Sequence, residues 1–342
     1  MPPGIAHGGR LIEARRLYPD APAPFIDLST GINPFAYPLA PLAASVLARL
    51  PEPEMLAKLE LIAARAYGAA SPAMVVAAPG TQMLIGLLPH LLGLQRVTIL
   101  GPTYGGHQAA WEAAGAGVRI ESTWQGFADR ARGENIAAIL CNPNNPDGRV
   151  IEADQLAALA CHGGVLIVDE AFADLEDPPV GLAPLLPRDG LLILRSFGKS
   201  YGLAGVRLGF LLASEAIAAR IRTAFGPWAV SGPALAAGLA GLGDSGWRDA
   251  MRPTLQAACD RLDGLAHAAG LALVGGTRLF RLYRAADAAA VFDRLARRGI
   301  LVRRFDDAPG TLRPGMLRIG LPGSETEWAR LTAALQDALP HS

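Results

Sequence analysis

The residue whose surroundings most clearly indicate a chemical role is a single lysine in a glycine- and serine-rich turn. Lys199 lies in the segment RSFGKSYGLAGVRLG, residues 195–209, between two apolar runs. The chain has 31 Lys and Arg residues but only two lysines, Lys58 and Lys199, so arginine supplies nearly all of its positive charge. Arginine cannot lose its proton in a protein, whereas a lysine amine can attack a carbonyl group. A lone lysine in a loop is more often a surface residue, but the surrounding segments favour a chemical role here.

The elements that must position this lysine are predicted to alternate between strands and helices. Short apolar runs predict strands at 75–78, 97–100, 136–141, 165–168 and 191–194, and periodic segments predict helices at 42–67, 81–93, 105–115 and 152–162. The strand runs are apolar throughout, which is typical of a mostly parallel sheet covered by helices on both faces. The sequence therefore predicts an α/β fold for this part of the chain, the large domain.

Polar groups follow five of these strands in succession, at the edge of the sheet where ligands bind in this class of fold. Each group alone has an ordinary explanation as a helix cap, a packed ring or a turn. Together they offer backbone amides at a helix start that suit a phosphate, an aromatic ring, a carboxylate and an amine. This set of groups matches pyridoxal phosphate. In strand order the groups are Gly80, Thr81 and Gln82, then Tyr104, then NPNNPDG around Asn145, then Asp169, and finally Ser196 with Lys199.

The composition limits the kinds of partner that the protein is expected to bind and the compartment in which it is expected. The formal net charge is zero, so there is no electrostatic case for binding nucleic acid or an anionic membrane surface. The cysteines, Cys141, Cys161 and Cys259, are odd in number and lack metal-ligand spacing, which predicts reduced thiols in the cytoplasm and no metal site. The N-terminus has no apolar signal core, and the most apolar window, 83–94, is short and interrupted by a proline. We therefore expect a cytoplasmic protein without a membrane span.

The two ends of the chain complete the predicted domain organisation. Residues 1–40 are rich in proline and glycine and predict an extended arm with little regular structure. From about residue 240 onward, predicted strands at 271–274, 278–283 and 316–321 alternate with predicted helices at 249–268, 287–298 and 324–338. We expect an arm over 1–40 that packs on the small domain and the site, a large domain over 41–239 and a smaller α+β domain over 240–342.

These motifs together resemble the fold-type I pyridoxal-phosphate enzymes of the class I/II aminotransferase superfamily. Within it the chain is most similar to the cobalamin-pathway threonine-phosphate decarboxylases, a branch close to histidinol-phosphate aminotransferase. The resemblance implies the fold-type I transferase fold, pyridoxal phosphate as cofactor and a homodimer. The segments that carry it are HGG at 7–9, DLSTGINP at 27–34, CNPNNPDGR at 141–149, DEAF at 169–172 and SFGKSYGLAGVRLG at 196–209.

The resemblance implies a role for each group around the cofactor. Lys199 would carry pyridoxal phosphate as a Schiff base and move protons at the substrate α-carbon. Asp169 would pair with the pyridinium nitrogen, Asn145 would contact the ring hydroxyl, and Tyr104 would stack on the ring. The implied phosphate contacts are Ser196, Arg207 and the backbone amides of Gly80, Thr81 and Gln82.

The resemblance also implies that the substrate, a small phosphorylated amino acid, is held at two ends. Arg318 would bind its α-carboxylate, and Arg303, with Arg304 as the alternative, would bind its phosphate. His7 and Gly8 would fold over the site as a lid, although a disordered tail is nearly as good an explanation for His7. The residues expected to line the substrate site are Gly31 to Asn33 together with Asn145.

The implied reaction is the decarboxylation of L-threonine O-3-phosphate to (R)-1-aminopropan-2-yl phosphate, the linker precursor of cobalamin. A pyridoxal enzyme breaks the bond that is held perpendicular to the cofactor ring, and spacing along a sequence cannot show that orientation. Histidinol-phosphate aminotransferase is therefore the nearest alternative. A catalytically silent pyridoxal-binding regulator is an alternative of a different class, which the presence of Lys199 and Asp169 disfavours. Two departures from related sequences are Phe172 and Leu50, which stand where tyrosines are common.

Overall fold

A computed structural model describes residues 8–160, 164–177, 179–305 and 315–336. The chain divides into two compact units that are each built from separate segments. The first unit contains the N-terminal residues up to Phe35, the loop Pro146–Arg149 and the residues from Met251 on, and the second contains Ala36–Asn145 and Val150–Ala250. The division into arm, large domain and small domain with boundaries at 40 and 240 stays a prediction.

The secondary structure alternates between helices and strands through most of the described residues. The helices are α1 Leu11–Leu17, α2 Ala44–Ala48, α3 Pro53–Tyr67, α4 Thr81–Leu92, α5 Gly105–Ala113, α6 Trp124–Ala131, α7 Ala153–Leu159, α8 Phe197–Ser200, α9 Glu215–Phe225, α10 Gly232–Gly243, α11 Ser245–Ala268, α12 Ala288–Arg297 and α13 Glu325–Gln336. The strands are β1 Ile26–Asp27, β2 Val75–Ala78, β3 Arg96–Leu100, β4 Gly117–Glu121, β5 Ile136–Cys141, β6 Val165–Asp169, β7 Leu191–Ser196, β8 Gly209–Leu212, β9 Ala272–Thr277, β10 Phe280–Arg284, β11 Ile300–Leu301, β12 Arg303–Phe305 and β13 Met316–Gly320.

The second unit is organised around a seven-stranded sheet, as far as its described residues show, in the order β2-β8-β7-β6-β5-β3-β4. Strand β8 is antiparallel to both of its neighbours, and the other pairings are parallel. Successive side chains of a strand point to opposite faces, and in β5 both sets are apolar. Ala138 and Leu140 join one buried cluster, while Ala137 and Ile139 join the other. This arrangement confirms the predicted α/β fold with a mostly parallel sheet.

Helices cover both faces of this sheet. One apolar cluster takes its buried side chains from α3, α6, α7 and α10 as well as from the strands. The other cluster takes them from α4, α5 and α9. The sheet is therefore buried on both faces, which is why its strands could be recognised as uninterrupted apolar runs.

The N-terminal part of the chain agrees with one sequence-based expectation and corrects another. The arm was expected to have little regular structure, and its described residues contain the seven-residue helix α1 over Leu11–Leu17 and the two-residue strand β1. The single helix expected over 42–67 is two helices, α2 and α3, because Pro51 and Pro53 interrupt the helical pattern. Pro53 instead occupies the first turn of α3, where its missing N–H is not needed.

The described residues of the first unit form an antiparallel four-stranded sheet in the order β12-β13-β10-β9, and β1 pairs with β11 in parallel. Phe280 and Tyr283 of β10 are fully buried in its core. The loop Pro146–Arg149 lies against β9, because an ideal Cβ on Gly148 would be 1.9 Å from the Gly276 carbonyl oxygen. Within the described parts of the chain, no helix combines the length and apolar character that a membrane span requires.

Candidate active site

An arginine lies against a helix N-terminus in the second unit. Gly80 directly precedes α4, and its φ of +82° is in the region that favours glycine. An ideal Cβ on Gly80 would lie 2.8 Å from Arg207 Nη2, so the guanidinium packs closely against the start of the helix. Thr81, the first residue of α4, and Ser196, the last residue of β7, are both buried. The free amides at the start of α4 and the fixed guanidinium are suited to a phosphate group.

Tyr104 contacts the start of α4 through its hydroxyl and His107 through its ring. Its hydroxyl donates to Gln82 Oε1 at 2.8 Å, and its ring meets the ring of His107 edge-on at 6.1 Å between centroids. Gly106 leaves room for the tyrosine ring, since a Cβ there would lie 2.4 Å from Tyr104 Cε1. Burial raises the pKa of Tyr104, and the negative charge of Asp169 adds to the effect. The phenol therefore remains a neutral donor at neutral pH, and the residue is 38% exposed.

Asp169 forms a buried ion pair with His107. The distance from Asp169 Oδ2 to His107 Nε2 is 3.0 Å, and Asp169 Oδ1 accepts a hydrogen bond from the Ala171 backbone N–H at 3.1 Å. Burial alone would raise the pKa of Asp169, but the hydrogen bond and charge of His107, together with the charge of Lys199, lower it. Asp169 therefore carries its negative charge at neutral pH although it is buried.

His107 was missed by the sequence-based reasoning. Burial would lower its pKa, but its hydrogen bonds with Asp169 and Cys141 raise the pKa to about 10. Its position three residues after Tyr104, on the same face of α5, was the available signal. The ligand atoms of His107, Cys141 and Asp169 lie within 4.8 Å of one another, and this is the group among the described residues whose spacing could hold a metal ion. The ion pair explains the histidine–aspartate contact without a metal.

Lys199 lies in the short helix α8, which follows β7 directly. Its Nζ is 5.0 Å from the centroid of the Phe172 ring, and its charge lowers the pKa of Asp169. Gly198 lets α8 approach the following turn, because a Cβ there would lie 2.8 Å from the Cα of Ala204. The structure therefore brings the predicted amine and the predicted carboxylate into one site.

Asparagines of the NPNNPDG loop hold its backbone in place. Asn142 accepts from the Ile151 N–H at 2.8 Å and donates to the Ile151 carbonyl at 3.1 Å. Asn144 accepts from Thr103 Oγ1 at 2.7 Å. Asn145, the predicted cofactor and substrate contact, is half-buried and is the last residue of the second unit before the loop Pro146–Arg149.

The predicted substrate arginines lie in the first unit. Arg318 of β13 is buried, and its Nη2 donates to the Ser29 carbonyl at 2.7 Å. Arg303 is directly opposite Arg318 in the β12–β13 pairing, which puts the two side chains on one face of the sheet. Burial lowers the pKa of Arg318 to about 10, and the nearby charge of Arg303 contributes to the shift. Arg304 points to the other face, with its guanidinium carbon 5.4 Å from the centroid of the Phe292 ring.

The N-terminal part of the predicted substrate site converges on Ser29. The Gly9 backbone N–H donates to Ser29 Oγ at 2.8 Å, and a Cβ on Gly8 would lie 2.6 Å from the Ser29 carbonyl oxygen. Gly31 is buried two residues further along the chain. Gly8 and Arg318 therefore meet at the same carbonyl group. His7, the other predicted lid residue, lies outside the described residues.

Residues 24–335 match the family model for aminotransferase class I and II, and the chain belongs to this family. Threonine-phosphate decarboxylases from Pseudomonas aeruginosa and from a Sinorhizobium species are each 40% identical to it. The first match covers 97% of each protein, and the second covers 91% of this chain and 93% of the relative. A histidinol-phosphate aminotransferase from Aeromonas salmonicida is 29% identical over 86% of each protein.

The fold is shared with enzymes of known structure. The crystal structure of histidinol-phosphate aminotransferase from Sinorhizobium meliloti in complex with pyridoxal-5'-phosphate has a TM-score of 0.81, with 23% identity. The match covers 96% of this chain and 94% of that one. At this identity, the similarity establishes the common fold.

Proposed function

We propose that this chain is a pyridoxal-phosphate-dependent decarboxylase of L-threonine O-3-phosphate. The products are carbon dioxide and (R)-1-aminopropan-2-yl phosphate, the linker precursor of cobalamin. The observation that carries the proposal is the 40% identity to the threonine-phosphate decarboxylase of Pseudomonas aeruginosa over 97% of both proteins. The histidinol-phosphate aminotransferase relative is less similar, at 29% identity.

The side chains of the second unit fit pyridoxal phosphate. Arg207 and the amides at the start of α4 suit its phosphate, and Gly80 keeps open a space that a Cβ would fill. Asp169 offers an ionised carboxylate to the ring nitrogen, and Lys199 offers an amine to the aldehyde. When bound, the cofactor supplies an electron sink for the bond broken at the substrate α-carbon.

The protein's own groups then hold charges and move protons. His107 keeps Asp169 ionised, because their hydrogen bond lowers the pKa of the carboxyl group. A negative charge at that point stabilises a proton on the ring nitrogen. The Lys199 amine, at the end of the short helix α8, donates or accepts a proton at the substrate α-carbon. Phe172 packs close to the Lys199 amine.

We assign the two anionic ends of the substrate to Arg318 and Arg303. Their opposed positions in the β12–β13 pairing support this assignment, because one face of the sheet then presents two cations. Arg318 is fixed by its bond to the Ser29 carbonyl and suits the carboxylate, while the more exposed Arg303 suits the phosphate. Arg304 is the weaker choice, because it packs against Phe292 on the other face.

We further propose that the chain forms a homodimer through its second unit. Helix α2 has no buried residue, and large apolar side chains are exposed near it, including Leu47 at 74% and Leu50 at 64%. Covering such side chains favours association. Light scattering should give the mass of a dimer for the wild type and a smaller mass for the Leu47→Glu, Leu50→Glu double variant. The cytoplasmic location stays a prediction.

The proposed reaction is tested by giving the enzyme two substrates in parallel. Carbon dioxide release is measured from L-threonine O-3-phosphate, and glutamate formation from histidinol phosphate with 2-oxoglutarate. The variants are Lys199→Ala and, as the matched control, Lys58→Ala, which changes the other, exposed lysine. We expect carbon dioxide from the wild type and Lys58→Ala, and none above background from Lys199→Ala. Glutamate without carbon dioxide would identify an aminotransferase instead.

A further inference from the structure

Three buried ionisable side chains, the triad Glu170–Arg195–Asp174, lie in the second unit and have no role in the chemistry described above. Arg195 Nη2 is 2.8 Å from Glu170 Oε2, and Arg195 Nη1 donates to Asp174 Oδ1 at 2.6 Å. Glu170 Oε1 also accepts from the Leu182 backbone N–H at 2.8 Å. The exposed fractions are 0% for Glu170, 5% for Arg195 and 9% for Asp174. The triad is therefore an interior cluster rather than a surface ion pair.

The triad is next in sequence to the groups proposed to hold the cofactor. Glu170 directly follows Asp169, and Arg195 directly precedes Ser196, four residues before Lys199. Their strands β6 and β7 are parallel neighbours, and the Glu170 N–H donates to the Leu194 carbonyl at 2.9 Å. Consecutive side chains of a strand point to opposite sides. The Glu170–Arg195 ion pair therefore joins the two strand ends on the side opposite Asp169 and Ser196.

The guanidinium of Arg195 is packed in a single orientation. A Cβ on Gly181 would lie 2.2 Å from Arg195 Nη2, and the centroid of the Tyr67 ring is 4.9 Å from the guanidinium carbon. Burial raises the pKa of Glu170 to about 7, although the charge of Arg195 opposes the shift. Burying three ionisable groups is costly, and apolar side chains of similar volume often give equal stability. Stability alone therefore does not account for the triad.

We infer that Arg195, through its ion pairs with Glu170 and Asp174, is a positioning residue that fixes the placement of Asp169 relative to the segment from Ser196 to Lys199. The inference rests on the proposed function in one respect, because it requires that pyridoxal phosphate meets Asp169 and Lys199 at the same time. A displacement of about 1 Å between groups that act together can cost on the order of a hundredfold in rate.

The test compares two variants that each remove a buried or half-buried arginine from the second unit. Arg195→Met removes both ion pairs of the triad. Arg222→Met, the control, removes the ion pair between Arg222 and Glu60. Arg222 lies near the start of β2, at the end of that strand away from Gly80. For Arg195→Met we expect kcat to fall about 10- to 100-fold with little change in KM. We also expect a shift of about half a unit or more in the pH midpoint of the visible absorbance of bound pyridoxal phosphate. Arg222→Met should lower the melting temperature but keep wild-type kcat and the wild-type midpoint.

Two conservative variants keep the test decisive if Arg195→Met does not fold. Glu170→Gln retains the volume of the side chain and an acceptor for the Leu182 N–H but removes the charge that faces Arg195. Arg195→Lys retains a cation but loses the guanidinium fork whose two Nη atoms each meet one carboxylate, so kcat should lie between the values of the wild type and Arg195→Met. Wild-type kcat and an unchanged absorbance midpoint in folded Glu170→Gln protein would show that the triad is purely structural and would overturn the inference.

The absorbance readout separates this inference from the proposed reaction. The pH midpoint of the bound cofactor is measured without substrate, so it reports on the triad whatever the natural substrate is. A wrong choice of substrate would appear as inactive wild-type enzyme with a normal absorbance titration. A wrong inference would appear as active wild-type enzyme with variants of the triad that match it in kcat and absorbance midpoint.

Discussion

His107 Nε2 lies 3.0 Å from Asp169 Oδ2, and both side chains are buried. Burial opposes charge on each of them, yet their hydrogen bond lowers the pKa of the carboxyl group and raises that of the imidazole to about 10. The pair therefore carries opposite charges at neutral pH. A carboxylate that stays ionised inside the protein is what a protonated ring nitrogen requires as a partner.

This pair predicts a pH-dependent contribution to stability. The pKa of folded His107, about 10, is above the ordinary value of 6.5. The stabilisation is therefore complete below about pH 6.5 and is lost as the pH rises toward about 10. We expect the difference in free energy of unfolding between cofactor-free wild type and His107→Asn to shrink steadily over that range in denaturant titrations. The exposed His90→Asn is the control, and a difference that grew with pH would contradict the charged pair.

The charge of Asp169 can be removed without changing its size. Asp169→Asn keeps a hydrogen-bond partner for His107 but takes away the negative charge that is proposed to face the ring nitrogen. We expect kcat/KM to fall by about 10²- to 10³-fold, the usual cost of losing one preorganised electrostatic contact. The visible absorbance of bound cofactor should remain, because Lys199 and Arg207 are unchanged. Near-wild-type turnover would contradict the role, and Asp129→Asn on the surface is the control.

Gly80 and Gly93 allow the phosphate site to be tested with matched variants. They flank α4 and both have positive φ, +82° and +66°, so alanine strains the backbone at either position. A Cβ meets Arg207 only at Gly80, whereas at Gly93 it meets nothing within 4 Å. We expect Gly80→Ala to raise the Kd for pyridoxal phosphate by about tenfold or more, and Gly93→Ala to leave it unchanged. Absorbance titration of the cofactor-free variants with pyridoxal phosphate measures both Kd values. Equal affinities would show that the phosphate does not bind at this position.

The central sheet could be predicted where its strands are buried on both faces. Val75–Ala78 and Ile136–Cys141 form strands with the predicted limits, because every side chain in them must be apolar. Strand β4, Gly117–Glu121, was not predicted, because among the described residues it pairs only with β3, as an edge strand, and it carries charged, partly exposed side chains. Strand β8, Gly209–Leu212, was not predicted as a strand, because it directly follows the glycine-rich segment after Lys199.

The candidate active-site groups could be predicted where the order of the strands determines which side chains come together. Parallel strands end at one edge, so Asp169 and Lys199 had to meet there. The contacts of His107 with Asp169 and of Arg195 with Asp174 join residues 62 and 21 positions apart on different elements, and no local pattern marks them. The proposal of Arg303 rather than Arg304 likewise rests on the register of β12, which only the folded sheet defines.

Gly148 marks a close approach of two backbone segments in the first unit and offers a test of the fold. Its φ is +73°, and a Cβ there would lie 1.9 Å from the Gly276 carbonyl oxygen. We expect Gly148→Ala to lower the free energy of unfolding by about 3 kcal/mol or more, because backbone strain and displacement of β9 add together. Gly270→Ala, with φ of +76° and no atom within 4 Å of its Cβ, should lose only about 1 kcal/mol. Equal losses in denaturant unfolding would mean that the backbone conformation, and not the contact with Gly276, requires glycine at this turn.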